Sequence, residues 1–145
     1  MSQKIVFMGT PEFSVPVLES LINSNHKILS VYSQPPSKSS RGQKITPSTV
    51  ELFSKKNSLN LRTPTNLDTD EEFNFLRSLN PDFVIVVAYG KIIPKRFLGL
   101  AKHGFINIHA SLLPKWRGAA PIERSIMSLD RETGVSIMKI VEELD

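Results

Sequence analysis

Asn107 and His109 are the residues whose types and spacing point most directly to chemistry. They belong to the run Phe105-Ile-Asn-Ile-His109, in which Asn107 and His109 alternate with Ile106 and Ile108. Because residues i and i+2 of a β-strand face the same side, Asn107 and His109 should point together. A carboxamide donates a hydrogen bond to a developing oxyanion, and an imidazole carries a proton near neutral pH. The pair is therefore a candidate for catalysis at an oxygen that becomes negative.

The same pair also has a structural explanation. A histidine bonded to the backbone, beside an asparagine that closes a turn, is the more common arrangement for an isolated Asn-x-His. His26 and His103 both lie in polar connections, and for these two we expect a structural role. The chemistry of Asn107 and His109 therefore depends on what surrounds them.

Several other kinds of site are excluded by the sequence itself. The turn after the first apolar run reads Gly9-Thr-Pro-Glu-Phe13, which is not G-x-G-x-x-G, and no G-x-x-x-x-G-K-[ST] occurs. The chain has no Cys, which excludes disulfides, thiolate zinc sites and cysteine nucleophiles. We expect no bound metal.

Length and hydropathy favour a single domain spanning residues 1–145. Of these 145 residues 40% are hydrophobic, which suffices for a core without disulfides or metals. The longest apolar stretch, Phe83–Ala88, is too short to cross a bilayer, and the first, Ile5–Met8, is too short for a signal-peptide core. These features predict a cytoplasmic protein without a membrane partner.

The net charge of +4 is unevenly distributed. Residues 38–62 carry six basic side chains and one acidic one, and residues 91–117 carry six basic side chains and no acidic one. Two basic segments are compatible with a polyanionic partner. Solvated faces of a mildly basic protein explain the same charges equally well.

Apolar runs of strand length alternate with stretches of helical periodicity. We expect strands at residues 4–8, 28–32, 59–63, 83–88, 105–109 and 134–140. Between them we expect helices at residues 13–23, 47–56, 94–100 and 119–129, and one that follows Thr69. This alternation predicts an α/β fold with a Rossmann-like, mostly parallel sheet and helices on both faces. Ligands of such sheets bind beyond the carboxyl ends of the strands.

Two helix starts and one long loop have specific signals. Thr46 before Pro47 reads as an N-cap followed by proline in the first turn. Thr69 with Glu72 three residues later has the pattern of a capping box. Residues 34–46 have no periodicity and are rich in Pro, Ser and Gly, which is typical of a functional loop.

The strand at 105–109 opens a longer motif. Asn107-x-His109-x-Ser111-Leu-Leu-Pro is followed by Arg117-Gly-x-x-Pro121, and Asp145 lies 36 residues after His109. This arrangement resembles the signature of the 10-formyltetrahydrofolate-dependent formyltransferases, which place a catalytic aspartate at that distance. The resemblance implies transfer of a formyl group from N10 of the folate to a primary amine, with no metal.

The acceptor amine differs among members of that family, which act on an amino sugar, a purine precursor, or methionine esterified to tRNA. Three stretches are similar to the tRNA-acting members: Phe7–Phe13, Gln34–Val50 and Val86–Pro94. In those members a basic insertion after the second strand contacts the acceptor stem, and the resemblance implies this role for Lys38, Arg41 and Lys44. Initiator methionyl-tRNA is the expected partner, with a small-molecule amine as the alternative.

The resemblance also implies catalytic roles. Asn107 and protonated His109 donate to the oxyanion, while Asp145 orients the imidazole and orders water that takes the proton from the amine. If the strands at 105–109 and 134–140 are parallel, Asp145 reaches the edge that carries His109. All three groups would then meet at one edge of the sheet.

The formyl donor, 10-formyltetrahydrofolate, is the expected co-substrate. Its flat pterin requires an apolar pocket with backbone polar groups at the rim. The family uses two stretches there, which in this chain are Tyr89, Gly90, Ile92, Ile93, and Ser111, Leu112, Leu113, Pro114. The apolar members of both stretches fit an ordinary core equally well.

Members of the family continue past the aspartate, and the tRNA-acting ones add a C-terminal β domain that helps to hold tRNA. We therefore expect residues 1–145 to be an N-terminal catalytic domain, truncated at its C-terminal side, that acts as a monomer and is weak or inactive alone. The alternative that is not an enzyme is a truncated domain that binds folate or RNA without turnover.

Overall fold

Strands and helices alternate in the computed structural model, which describes residues 2–38, 42–111, 113–115, 117–119, 121–128, 130 and 132–142. The strands are β1 (Lys4–Gly9), β2 (Lys27–Tyr32), β3 (Ser37–Lys38), β4 (Ile45–Thr46), β5 (Leu61–Arg62), β6 (Phe83–Val87), β7 (Phe105–His109) and β8 (Ser136–Lys139). The α-helices are α1 (Val15–Ile22), α2 (Thr49–Lys56), α3 (Asp70–Leu79) and α4 (Pro121–Met127), and two 3₁₀ helices span Glu12–Ser14 and Lys95–Leu100.

Six of these strands form one sheet in the order β5-β2-β1-β6-β7-β8. The first five are parallel. The chain builds β1, β2 and β5 in one direction and then crosses to β6 and β7 on the other side of β1. The sheet therefore has a switch point between β1 and β6, where ligands of open α/β sheets bind. The predicted fold class is confirmed.

The core is divided between the two faces of the sheet, because successive strand residues point to opposite sides. One face packs against α3 and the second 3₁₀ helix and includes Met8 and Val86. The other face packs against α1 and α2 and includes Phe7 and Val87. All four of these side chains are at most 6% exposed. The continuous apolar runs in β1 and β6 are thus explained by burial on both faces.

β8 runs antiparallel to β7, and this corrects one step of the sequence argument. His109 pairs with Ser136, at the start of β8, whereas Ile106 pairs with Lys139 at its end. The connection from β7 to β8 begins and ends at the edge of the sheet that carries His109. β8 therefore starts beside His109 and ends at the opposite edge. The expectation that this strand is parallel to β7 is therefore wrong. Asp145 itself lies outside the described residues, so its place at that edge stays a prediction.

The segment 34–46 contains a hairpin instead of a plain loop. β3 and β4 pair antiparallel within it. The next helix has Ser48 as its N-cap, with the Ser48 hydroxyl accepting a hydrogen bond from the Glu51 amide at 2.9 Å. Thr46 is thus a strand residue, and its assignment as the N-cap was wrong. Pro47 has no amide hydrogen and ends the short ladder before the helix begins.

Half of the capping box of α3 is formed. The Thr69 hydroxyl accepts a hydrogen bond from the Glu72 amide at 3.2 Å. The Thr69 amide donates to the carbonyl of Leu67, and the Glu72 carboxylate is bound by Arg62 instead. A long-range ion pair has therefore replaced the second, local bond of the motif. The other predicted elements begin and end within two residues of the expected positions.

Candidate active site at the carboxyl ends of the strands

Three strand ends meet at the switch point. β1 ends at Gly9, β6 is followed by the turn Ala88–Gly90, and β7 ends at His109. The neighbouring pairs Gly9 with Val87, and Val86 with Asn107, hold these ends in register. The edge predicted to carry the chemistry is therefore shared by β1, β6 and β7.

Asn107 and His109 lie on one face of β7, as predicted from their spacing. Phe105, two residues before Asn107, belongs to the core that packs against α3, whereas Ile108 packs against the opposite core. By alternation Asn107 and His109 share the face of Phe105. His109 is buried, with 7% of its surface exposed, and Asn107 is half-buried. A buried imidazole beside a carboxamide at a strand end suits the stabilisation of a developing oxyanion.

The turn after β6 has an unusual backbone. Ala88 has φ = 50° and Gly90 has φ = 88°, both in the left-handed region. The positive φ of Gly90 favours glycine, and a Cβ added there would lie 2.0 Å from Nε2 of Gln34, so that the Gln34 side chain would have to move.

The proposed folate residues after β6 differ in their exposure. The Tyr89 side chain is buried and Ile93 packs against the core, whereas Ile92 is 91% exposed. Tyr89 and Gly90 can therefore meet a ligand mainly through their backbone. Ile92 is the apolar side chain of this stretch that remains available to a flat ring.

The proposed folate residues after β7 are held by serines. The Ser136 hydroxyl donates to the Ser111 carbonyl at 2.7 Å and accepts from the Leu113 amide at 3.1 Å. The buried Ser111 hydroxyl donates to the Lys115 carbonyl at 2.7 Å. The Leu113–Pro114 peptide bond is cis, and Leu112 lies outside the described residues. This segment is therefore fixed to β8 beside His109.

The β3–β4 hairpin presents two of the three proposed tRNA-binding residues. Lys38 ends β3, Lys44 directly precedes β4, and both are exposed. Neither takes part in an ion pair with another described residue, and Arg41 lies outside the described residues. A cleft of about 330 Å³ separates the hairpin from the ends of β1 and β2, and its wall includes Thr10, Gln34 and Ser48. The basic hairpin thus borders the strand-end edge.

In the second basic segment, residues 91–117, three of the six basic side chains pair with acids from elsewhere in the chain. Arg96 bonds to Asp68 at 2.9 Å and to Asp70 at 3.0 Å. Further pairs join Lys95 to Glu142 at 3.1 Å and Lys115 to Asp130 at 3.6 Å. Half of the positive charges in this stretch therefore have an acidic partner, whereas Lys38 and Lys44 have none among the described residues, which favours the hairpin as the surface for an anionic partner.

Sequence reasoning missed a polar cluster behind the turn after β6. The Glu72 carboxylate, 7% exposed, accepts three hydrogen bonds from the Arg62 guanidinium at 2.7 to 3.2 Å. Burial raises the pKa of Tyr89 and of Tyr32, and the nearby Glu72 charge raises both further. The capping signal marked Glu72 but could not reveal its bond to Arg62.

No metal site is evident in the part of the chain that the structure describes, since no three His, Asp or Glu side chains there converge. No helix of the described residues is long and apolar enough to cross a membrane.

The fold and the strand-end residues define a class of protein. The chain belongs to the formyl transferase family, whose model matches residues 3–145. This confirms the family predicted from the Asn107-x-His109 motif.

Relatives within the family are similar to this chain over its whole length. It is 62% identical over 146 residues to the methionyl-tRNA formyltransferase of Pelagibacter ubique and 51% identical over 145 residues to that of Coxiella burnetii. Each match covers 100% of this chain but 47% and 46% of the relative. The chain therefore spans about half the length of the curated relatives it matches.

Solved structures of more distant proteins share the fold. Phosphoribosylglycinamide formyltransferase from Bacillus halodurans matches 99% of the chain and 74% of its own length, with a TM-score of 0.77 and 22% identity. A 4-N formyltransferase from Francisella tularensis matches 98% of this chain and 52% of its own, with a TM-score of 0.65 and 17% identity. At these identities the likeness establishes the fold alone.

Proposed function

We propose that this protein transfers a formyl group from 10-formyltetrahydrofolate to the amino group of methionine on initiator methionyl-tRNA. The observation that carries the proposal is the 62% identity, over the whole chain, to a methionyl-tRNA formyltransferase. The pair Asn107 and His109 at the end of β7 supplies the chemistry that this reaction needs. The proposed substrate also implies a cytoplasmic protein, which we take to act as a monomer.

The roles of the two residues follow from the charge that develops in the reaction. When the amine adds to the formyl carbon, the formyl oxygen becomes negative, and the Asn107 amide and the protonated His109 imidazole donate hydrogen bonds to it. One such donor is typically worth about 3 to 4 kcal/mol. The C–N bond to the amine forms in this addition. The intermediate then collapses, the bond to N10 breaks, and the proton lost from the amine passes to N10. We assign the orientation of the imidazole, and the water that takes this proton, to Asp145.

The turn after β6 fits the formyl donor. 10-Formyltetrahydrofolate supplies the formyl group, and its pterin is a flat ring with polar groups at its edge. Ile92 offers an exposed apolar side chain, while Tyr89 and Gly90 offer backbone groups beside it. We place the segment Ser111–Pro114, including Leu112, on the other side of the same ligand.

The basic hairpin suits a nucleic-acid acceptor better than a small amine. Lys38 and Lys44 are exposed and form no ion pair within the described part of the chain, so their charges are available to phosphates. We propose that these lysines and Arg41 contact the acceptor stem of tRNA. Lysine and arginine contacts of this kind position a nucleic acid without reading its sequence.

The acceptor is tested by following a labelled formyl group. The chain, in excess over donor, is mixed with 10-formyltetrahydrofolate and with methionyl-tRNA, an amino sugar nucleotide and glycinamide ribonucleotide together. We expect the label on methionyl-tRNA. Label on either small amine would contradict the assigned acceptor, and folate binding without any transfer would show a binding module instead of an enzyme.

The hairpin is tested separately by the salt dependence of tRNA binding. Removing both charges with Lys38→Ala and Lys44→Ala should reduce the slope of log K against log salt by about 1 to 2, since each lost phosphate contact releases fewer counterions. Lys27→Ala is the matched control, because Lys27 is exposed at the opposite edge of the sheet. An unchanged slope in the double variant would remove the hairpin from the tRNA interface.

A further inference from the structure

The carbonyl of Tyr89 is held by two side chains from the other half of the sheet. The Thr10 hydroxyl, directly after β1, donates to the Tyr89 carbonyl at 2.6 Å. The Gln34 carboxamide, after β2, donates to the same oxygen at 3.2 Å. The backbone N–H of Gln34 in turn donates to the Thr10 hydroxyl oxygen at 3.3 Å. These three bonds form a closed set, the Tyr89 clamp, across the switch point.

The clamp acts on a turn with an unfavourable backbone conformation at Ala88. Ala88 and Gly90, on either side of Tyr89, both have positive φ, and for an alanine this conformation is disfavoured. A carbonyl that accepts two hydrogen bonds fixes the plane of the Tyr89–Gly90 peptide. Thr10 and Gln34 therefore determine the direction in which the chain leaves β6.

The residues beyond the turn are anchored at both sides of Ile92. The Lys91 ammonium donates to the Thr65 carbonyl at 2.7 Å, and the Ile93 side chain packs against the core. Ile92 between them, five residues after the end of β6, is 91% exposed. The hydrogen bond of Lys91 and the packing of Ile93 thus hold the chain so that the Ile92 side chain stays outside the core.

We infer that Thr10 and Gln34 are positioning residues for the formyl donor: through the Tyr89 clamp they hold the turn 88–90 so that Ile92 is presented to the flat ring of the folate. The inference rests on the proposed function and deepens it. Thr10 and Gln34 act through Tyr89, and neither is assigned a contact with the reacting atoms.

The test compares variants that differ in one hydrogen-bonding group. Thr10→Val removes the hydroxyl at constant shape, and Thr10→Ser retains it. Gln34→Met removes the carboxamide, and Gln3→Met is its control at the other edge of the sheet. Binding of 10-formyltetrahydrofolate is measured by calorimetry, amide hydrogen exchange of residues 89–93 by NMR, and the single-turnover transfer rate at saturating donor.

We expect Thr10→Val and Gln34→Met each to weaken folate binding by about tenfold, the size expected for loss of one well-formed hydrogen bond. Exchange at residues 89–93 should accelerate, and the rate at saturating donor should stay within about twofold of wild type, because the clamp does not touch the reacting atoms. Thr10→Ser and Gln3→Met should behave as wild type.

Two results would overturn the inference while leaving the proposed function intact. One is wild-type folate affinity in both Thr10→Val and Gln34→Met. The other is an equal loss in Thr10→Ser and Thr10→Val, since the hydroxyl would then be irrelevant. If the wild-type chain itself binds no folate, the proposed donor is wrong and the inference fails with it, so the two failures are distinguishable.

Discussion

The ends of β6 and β7 lie side by side, yet different parts of the molecule support them. The turn after β6 is tied across the switch point to Thr10 and Gln34, which follow β1 and β2. The segment after β7 is tied in the opposite direction, through Ser136, to the edge strand β8. The end of β6 is therefore supported by residues that follow the parallel strands β1 and β2, and the end of β7 is supported by the antiparallel edge strand β8.

This difference indicates that donor binding and the chemical step are assigned to different strand ends of the proposed site. The β6 end presents backbone groups and an exposed isoleucine, which suits binding of the donor. The β7 end presents Asn107 and His109, which suits the chemical step. Substitutions in the support of the β6 end should therefore affect donor affinity, and substitutions of Asn107 and His109 should affect the transfer rate.

The largest effect is expected from the β7 end. His109→Ala and Asn107→Ala should each lower the single-turnover rate at saturating donor by about 100-fold or more, the usual cost of removing one oxyanion donor. Folate affinity should change little, because Asn107 and His109 are assigned to the oxyanion that forms during transfer and not to the pterin. His103→Ala is the control, since His103 packs against Phe83 at the opposite edge. If these two variants lost folate affinity but kept the transfer rate, the β7 end would serve donor binding and not the chemical step.

The next effect concerns the ion pair behind the β6 end. Glu72→Gln should lower the free energy of unfolding by about 1 to 3 kcal/mol, less than for a fully buried pair because the Arg62 side chain is 24% exposed. Glu71→Gln is the matched control: Glu71 is 83% exposed and 3.6 Å from Arg62, so its loss should be close to zero. Urea denaturation of both variants measures the difference, and equal losses would mean that burial of Glu72 is unimportant.

A smaller effect is expected from the support of the β7 end. Ser136→Ala removes a donor to Ser111 and an acceptor for the Leu113 amide, which should cost about 1 to 2 kcal/mol. The Leu113 amide should also lose protection against hydrogen exchange. Ser78→Ala removes a hydroxyl on an exposed helix surface and is the control. Loss of protection at Gly90 instead of Leu113 would show that the two ends share one support.

The smallest effect is expected for Tyr89→Phe. No described residue bonds to the Tyr89 hydroxyl, so its removal should change stability at neutral pH by less than about 1 kcal/mol. Burial raises the pKa of Tyr89 above its usual value of about 10, so the unfolded chain loses this proton first and stability falls as the pH rises above that value. The variant should show a shallower fall between about pH 10 and 11. An equally steep fall would mean that Tyr89 does not contribute.

Much of the fold could be predicted from local patterns. The apolar runs in β1, β6 and β7 are long enough to identify buried strands, and alternation within β7 placed Asn107 and His109 on one face. The direction of β8 could not be predicted, since an alternating pattern is the same for a parallel and an antiparallel strand. The β3–β4 hairpin was also missed, because its two-residue strands are exposed and carry no apolar pattern.

The supports of the site were less predictable than its chemical groups. Thr10 and Gln34 bond to a carbonyl 79 and 55 residues further along the chain, and no local signal marks such a contact. Glu72 was identified by its local capping pattern, whereas its carboxylate bonds to Arg62 across ten residues. Side chains that act on a distant backbone become visible only when the sheet is assembled.

The most direct test of the account is to locate the formyl group of the bound donor. 10-Formyltetrahydrofolate carrying ¹³C in its formyl group is bound to the isotope-labelled chain, and contacts of the formyl hydrogen are measured by filtered NMR. The account predicts contacts to the side chains of Asn107 and His109, and contacts of the pterin to Ile92. A saturated complex whose formyl hydrogen contacts neither Asn107 nor His109 would contradict it.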